Sequence, residues 1–388
     1  MTTRTAALLL FSLCACSDTL TLSPEDAGVD AAGPDAVSAA DAATTDAALD
    51  APSSPSPESG VDAGPTEPVH FLGRFDTSDP NGPRAAYPGS AIEATFSGTA
   101  ISVTLHDQNE NYFDVSIDGA QPTALHTTNA TTSYDLATGL AAGTHTVSLV
   151  KRTESFQGIV QFGGFTVTGG AIAPTPFPYT RRIELIGDSI TCGYGDVGQG
   201  PSCTFSPDTE DEDVAWGEIA GAALGAMHTS IAYSGRGLYR NRDGSTTGLM
   251  PDVWTRTFAD DATSMWDFSK YAPDAVVINL GTNDFALGDP GAAFRDAYVA
   301  FLATVRAKYP KAHIVGVVGP MLGGTPYAEA ATYVQNAITA SGDPNASYLA
   351  LPTQDGSDGY GCDWHPSEAR QATMGALLAA HLKQALGW

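Results

Sequence analysis

Basic residues are scarce in this chain of 388 residues: 18 Lys and Arg stand against 44 Asp and Glu, a formal charge of -26. Residues 17–67 hold no Lys or Arg at all and carry eleven of the acids. Removing that stretch still leaves -15, and a surface so poor in cations cannot displace the counterions of a phosphate backbone, which excludes nucleic acid as a partner. Cysteine is also sparse, with five in all: Cys14 and Cys16 near the start, then Cys192, Cys203 and Cys362. In an oxidising compartment the last three allow one disulfide and leave one thiol over, and spacing alone does not choose the pair. The apolar stretch Ala6–Leu13 is too short to cross a bilayer as a mature helix. Paired ligand spacing is missing as well: His70, His106, His126 and His145 stand singly, and the acidic run Asp208–Asp213 lacks the regular spacing of a calcium loop. No metal and no organic cofactor is expected. The acidic run is instead expected to face the N-terminus of the helix that follows, where carboxylates meet a favourable dipole.

Arg4, the short apolar stretch and Leu13-Cys14-Ala15-Cys16 together read as an export signal. That tetrapeptide resembles a bacterial lipobox, which implies a mature chain lipidated at Cys16 and held at the cell envelope; plain secretion is the alternative. Residues 17–67, built of Ala, Asp, Pro, Ser, Thr and Gly, offer too little apolar surface to offset ordering entropy and read as a disordered acidic tether. From residue 68 to 172 the texture changes to alternating runs at 91–98, 100–107, 112–119, 143–153 and 159–169, separated by Gly, Asn and Asp turns. Period two without a helical stripe implies an antiparallel β-sandwich, jelly-roll-like in kind. After the Pro-rich joint 173–180, residues 181–388 alternate between strand and helix. Strands are expected at 183–187, 228–233, 275–281, 312–318 and 346–351. Helical stripes follow at 214–226 and at 291–308, where Phe294, Tyr298, Phe301, Leu302 and Val305 fall on one face. Such alternation gives a five-stranded parallel sheet covered on both faces, a three-layer α/β sandwich whose ligands bind at the carboxyl ends of the strands.

Ser189 stands at such an end, in Gly187-Asp188-Ser189. The nearby Gly193, Gly195 and Gly198 also fit a dinucleotide-binding loop, but they begin six residues past the strand, open no helix and are followed by no acid at the end of the second strand. They are therefore expected to shape the loop beside Ser189, and Asp188 to hydrogen-bond loop amides. Gly235 ends the second strand, Asn283 and Asp284 the third, and His365 precedes a helix that Pro366 can begin. A hydroxyl, a backbone donor, a side-chain amide and an imidazole at one rim are what acyl transfer needs.

These four blocks, in this order, resemble the SGNH (GDSL-like) hydrolase superfamily over residues 181–388. Within it, "IGDSITCGYG", "VINLGTNDF" and "GCDWHPS" behind a β-domain resemble the family 2 carbohydrate esterases, which remove acetyl groups from plant cell-wall polysaccharides such as xylan and glucomannan. The resemblance implies Ser189 as nucleophile and His365 as base, with an oxyanion hole of the Ser189 N–H, the Gly235 N–H and the Asn283 amide. Many superfamily members place an Asp three residues before the His, where this chain has Cys362. Asp363 is the expected third member, with a backbone carbonyl as the alternative. Trp364 is either a core aromatic or a stacking platform for a sugar ring, and Arg236 and Tyr239 are expected to meet substrate hydroxyls. The expected partner is an acetylated polysaccharide. A lipid or thioester hydrolase and an inert polysaccharide-binding protein are the competing expectations.

Overall fold

Alternation of apolar and polar residues builds the N-terminal half of the computed structural model, which describes residues 66–388. The leader, Cys16 and most of the acidic tether lie outside the described residues. In the strand Ala100–Asp107, Ile101, Val103, Leu105 and Asp107 point inward and their neighbours outward. Seven strands of five to nine residues, with shorter ones, make two antiparallel sheets, one of four strands and one of six. Between them lies a core that includes Ile92, Val103, Leu105, Phe113, Leu149 and Phe162. The third long strand runs Glu110–Ile117, two residues earlier than the alternation suggested. Asp118 and Gly119, at φ 56° and 69°, form the turn that ends it, with the Ala120 N–H donating to Ile117 O. Two strands, Thr123–Thr128 and Ser133–Ala137, carry too few apolar residues to be visible as alternation, and all but one of their residues are exposed or half-buried.

In the C-terminal half the strands lie parallel, all but the last largely buried on both faces, in the spatial order Ala226–Ala232, Arg181–Gly187, Ala275–Asn279, His313–Val318, Ala346–Ala350. One face is covered by the helices Trp216–Leu224 and Glu368–Leu386, which pack Trp216, Leu224, Met374, Leu378 and Leu382 onto Ile183 and Leu185. The helices Ala292–Lys308 and Gly324–Ser341 cover the other with Phe294, Tyr298, Phe301, Val305 and Val334. The expected alternation of strand and helix breaks once. Between Ala232 and Ala275 the chain forms only a four-residue helix, Met250–Val253, and a turn of 3₁₀-helix, because Gly, Ser, Asp and Thr there favour turns over helix.

The two modules form one compact unit, and charged side chains join them. Arg74 of the β-domain, 2% exposed, reaches Glu184 on the first parallel strand at 3.3 Å. Glu184 also accepts from Trp254 Nε1 at 2.6 Å and Tyr309 Oη at 2.9 Å, while Arg74 donates to the carbonyls of Trp254 and Arg256. Nor does the acidic run Asp208–Asp213 cap the helix Trp216–Leu224 as expected; Asp211 caps only the 3₁₀ turn Glu212–Val214. The helix Trp216–Leu224 is preceded by Ala215, and Glu210, Asp211 and Glu212 are buried in the seam. There Asp211 pairs with Arg152 at 3.2 Å, and Glu212 accepts from His228 at 2.9 Å and Ser230 at 2.5 Å. Arg152 of the β-domain and His228 and Ser230 of the strand Ala226–Ala232 decide the direction of these side chains, and helix-dipole reasoning cannot anticipate them.

Removing the Arg74 guanidinium leaves Glu184 buried without its cation. Arg74→Ala is expected to lose about 3–5 kcal/mol of unfolding free energy in urea titration, with both modules melting together.

Candidate active site

Parallel register brings the site segments to one edge, for Gly187 lies level with Ala232 on one neighbouring strand and Asn279 on the other. Past Gly187 the Asp188 carboxylate caps the four-residue helix Ser189–Cys192, accepting the Ile190 N–H at 3.1 Å. Burial pushes the Asp188 carboxyl up to about 7. Its other oxygen accepts from Asn283 Nδ2 at 3.2 Å, and Nδ2 also donates to Arg236 O at 2.9 Å. One buried amide thus joins the first, second and third loops. Asp284 reinforces that join by accepting the N–H groups of Leu238, Tyr239 and Arg240 at 2.7–3.0 Å. Gly235 turns the second loop at φ 77°, a conformation that costs an L-residue with a side chain. Neither the Ser189 nor the Gly235 N–H has an acceptor among the described residues.

His365 reaches this edge from the C-terminal loop, its Nε2 2.9 Å from Ser189 Oγ. Nδ1 lies 3.2 Å from the carbonyl oxygen of Cys362. A carbonyl only accepts, so Nδ1 carries the proton and Nε2 is left to take the hydroxyl's. Asp363 does not orient His365, contrary to expectation. Its carboxylate accepts the Phe205 N–H at 3.0 Å and the Tyr194 hydroxyl at 3.2 Å. The reason is local backbone geometry: Asp363 and Trp364 take left-handed conformations, φ 51° and 66°, which turn the Cys362 carbonyl under the imidazole and the Asp363 side chain outward.

Sequence left the disulfide open; the structure joins Cys203 to Cys362, next to that turn, and leaves Cys192 buried as a free thiol. Asp363 N–H also donates to Cys203 O at 3.0 Å. The glycine-rich loop makes room for this bridge. A Cβ on Gly198 would lie 2.2 Å from Cys362 Sγ, which is the physical reason for a glycine there and needs no phosphate. Tyr194, from the same loop, lies between His365 and Phe205 with ring centroids 4.2 Å from each.

The resulting cleft, about 440 Å³, is lined by Ser189, Tyr194, Ser234, Gly235, Arg242, Thr282, Asn283, Ala286, Met321, Asp363 and His365. The expected substrate contacts are placed differently. Arg236 stacks on Tyr233 at 4.7 Å and lines a neighbouring hollow, and Tyr239, held by Asp284, lies outside the cleft lining. Trp364 is 59% exposed beside His365, with Tyr360 against it at 5.1 Å, so it is no core aromatic, although it too lies outside the lining. Arg242, Tyr194, Thr282 and Met321 escaped sequence reasoning. Tyr194 stands inside a conspicuous motif, whereas a loop seven residues beyond Gly235 gives no sign that Arg242 folds back to it.

Comparison with known proteins places this geometry. Residues 71–176 match the carbohydrate esterase 2 N-terminal domain, and residues 185–372 the GDSL-like lipase/acylhydrolase family. A solved family two carbohydrate esterase from Clostridium thermocellum, in complex with cellohexaose, superposes with a TM-score of 0.80 at 42% identity, over 82% of this chain and 99% of that one. The chain belongs to carbohydrate esterase family two. It is 43% identical over 325 residues to the cellulase/esterase CelE of Acetivibrio thermocellus, matching with 82% of its own length and spanning 40% of that protein. To an acetylxylan esterase / glucomannan deacetylase of Cellvibrio japonicus it is 28% identical over 332 residues, 82% of this chain and 89% of the relative. In this esterase-family chain the four blocks therefore meet at the edge where SGNH-type chemistry is expected, with a carbonyl in place of the third carboxylate.

Two measurements test the arrangement. Cys203→Ser is expected to lower unfolding free energy by about 2–5 kcal/mol, since the bridge constrains a long loop of the unfolded chain; chemical denaturation with and without reductant reads this. Burial lowers the His365 pKa to about 4. Its NMR titration should therefore centre near 4, not at the unfolded value of 6.5, and the stability this imidazole contributes should be complete above 6.5 and decline as pH falls through that window.

Proposed function

We propose that this chain hydrolyses O-acetyl esters on polysaccharide by a serine acyl-enzyme route. The 2.9 Å contact between Ser189 Oγ and His365 Nε2, opening on a polar cleft, carries the reading. Ser189 Oγ attacks the acetyl carbonyl while Nε2 takes its proton, and the Cys362 carbonyl stabilises the imidazolium through Nδ1–H. The oxyanion receives the N–H groups of Ser189 and Gly235, together with the Asn283 amide proton that now points to Asp188. Collapse of the tetrahedral adduct breaks the ester C–O bond, and His365 returns the proton to the sugar oxygen. Water, deprotonated by the same imidazole, then releases acetate and restores Ser189. The residues do this without a metal or an organic cofactor.

The polysaccharide assignment is supported by the relatives named for xylan, glucomannan and cellulose work, by the solved relative holding cellohexaose, and by the exposed Trp364 packed against the half-buried Tyr360 beside His365, where a sugar ring can stack. A long-chain lipid substrate needs an extended apolar channel, and among the described residues Ala286 and Met321 are the only non-aromatic apolar side chains lining this cleft. Export and lipid attachment at Cys16 form part of the proposal. They are supported by the signal-like first sixteen residues and by a disulfide between Cys203 and Cys362, which persists outside the reducing cytosol.

Acetate release from acetylated glucomannan and acetylated xylan is expected, and Ser189→Ala should lower it by at least about 10³-fold. Hydrolysis of long-chain acyl esters alone would overturn the polysaccharide reading, and full activity in Ser189→Ala would overturn the site.

A further inference from the structure

One carboxylate of the β-domain enters the hydrolase site. Glu154, fully buried, lies at the end of the turn that follows the strand Gly143–Lys151. Its Oε2 accepts the Ser234 N–H at 2.7 Å, and its Oε1 accepts the Ser234 hydroxyl. Ser234 immediately precedes Gly235 and itself lines the cleft. On another side the Glu154 carboxylate lies beside the thiol of Cys192, at the last residue of the short helix that begins with Ser189. The main chain of Glu154 is fixed in turn: its N–H donates to Glu210 Oε2 at 2.9 Å, and its carbonyl accepts from Lys151 Nζ at 3.3 Å.

We infer that Glu154 is a positioning residue for ester hydrolysis, by which the β-domain sets the loop carrying the Gly235 oxyanion donor against the helix carrying Ser189. The inference rests on the esterase reading above. A peptide N–H directed at an oxyanion works only within a few tenths of an ångström, and the loop around Gly235 has no regular structure of its own to hold it. Ser234 has both its N–H and its side chain taken by one rigid acceptor, so Glu154 fixes the Tyr233–Ser234 peptide and the Ser234 side chain, immediately before the peptide that carries the Gly235 N–H. The carboxylate spans the seam between modules and does not touch the substrate.

Glu154, Cys192 and Glu210 place ligand-type atoms within 4.8 Å of one another. A cation among them would compete with the buried Lys151 ammonium, which already supplies positive charge to this cluster. Burial raises both carboxyls, and Glu210, one of whose oxygens has no partner, lies well above the usual range. Glu154 is the member of the pair held by two donors from Ser234. The cluster is a support, and its output is the placement of Ser234.

The experiment compares wild type, Ser189→Ala, Glu154→Ala, Glu154→Asp and Glu154→Gln in the full chain, with 4-nitrophenyl acetate, below the melting temperature of each variant. Glu154→Ala is expected to lower kcat about 10²-fold, as for a misplaced catalytic group, with KM nearly unchanged. Glu154→Asp, which keeps the charge but falls one methylene short of Ser234, should show the same split. Glu154→Gln should recover most of kcat, because its amide oxygen still accepts the Ser234 N–H and its nitrogen can donate to the hydroxyl. Should the alanine variant fail to fold, the Asp and Gln pair decides the matter. A purely structural role would lower the melting temperature and leave kcat of the folded protein intact, and that result, or equal damage from Asp and Gln, would overturn the inference. An inactive wild type would overturn the esterase reading and this inference with it; active wild type with unaffected Glu154 variants would overturn this inference alone.

Discussion

A carboxylate withdrawn from water must be met by donors or by a cation, and the architecture of this protein follows from how that requirement is answered. Glu184 on the first parallel strand is met by Arg74, Trp254 and Tyr309. Asp284 is met by three successive amides of the second loop, Asp188 by Ile190 and Asn283, and Glu212 by His228 and Ser230. Each of these bonds joins chain segments that are distant in sequence or turns a loop end toward its neighbour. The edge of the sheet is held by charge as much as by packing.

The histidine loop shows a different solution to a missing carboxylate. With a disulfide at the position where the superfamily resemblance leads one to expect an acid, the chain uses its own carbonyl to hold the imidazole, and the left-handed turn at Asp363 and Trp364 supplies the geometry. Two non-glycine residues in that conformation carry a strain of order 1–3 kcal/mol each. The Cys203–Cys362 bridge, the Asp363 bonds to Phe205 and Tyr194, and the Gln354 bond to Trp364 O hold the turn in place. Asp363 therefore acts on the shape of the loop and, at a distance, on the charge around His365.

Much of this was legible in the chain alone. Apolar runs that are buried on both faces announce themselves, so the parallel strands lie within two residues of where periodicity put them at their N-terminal ends and at their C-terminal ends. Polar strands do not: Thr123–Thr128 and Ser133–Ala137 are strands because neighbours pair with them, and their own composition does not say so. The same distinction governs the site. Gly187-Asp188-Ser189, Gly235, Asn283 and His365 could be named because each sits in a recognisable block, whereas Arg242 enters the cleft through the path of an irregular loop. Arg236, Tyr239 and Trp364 stand near the site only along the chain, and side-chain direction at a loop is set by what packs around it.

Local rules in the sequence by themselves determined the two-module order, the edge on which chemistry would gather and the residue types it would use, since periodicity and turn chemistry act over a few residues. Tertiary structure alone decided which cysteines join, whether a carboxylate or a carbonyl holds His365, where the acids of 208–213 point, and that Glu154 reaches Ser234 across 80 positions of chain. Those outcomes depend on distances between segments that no local pattern encodes, because burial and charge pairing are settled only when the β-domain and the parallel sheet exclude water between them.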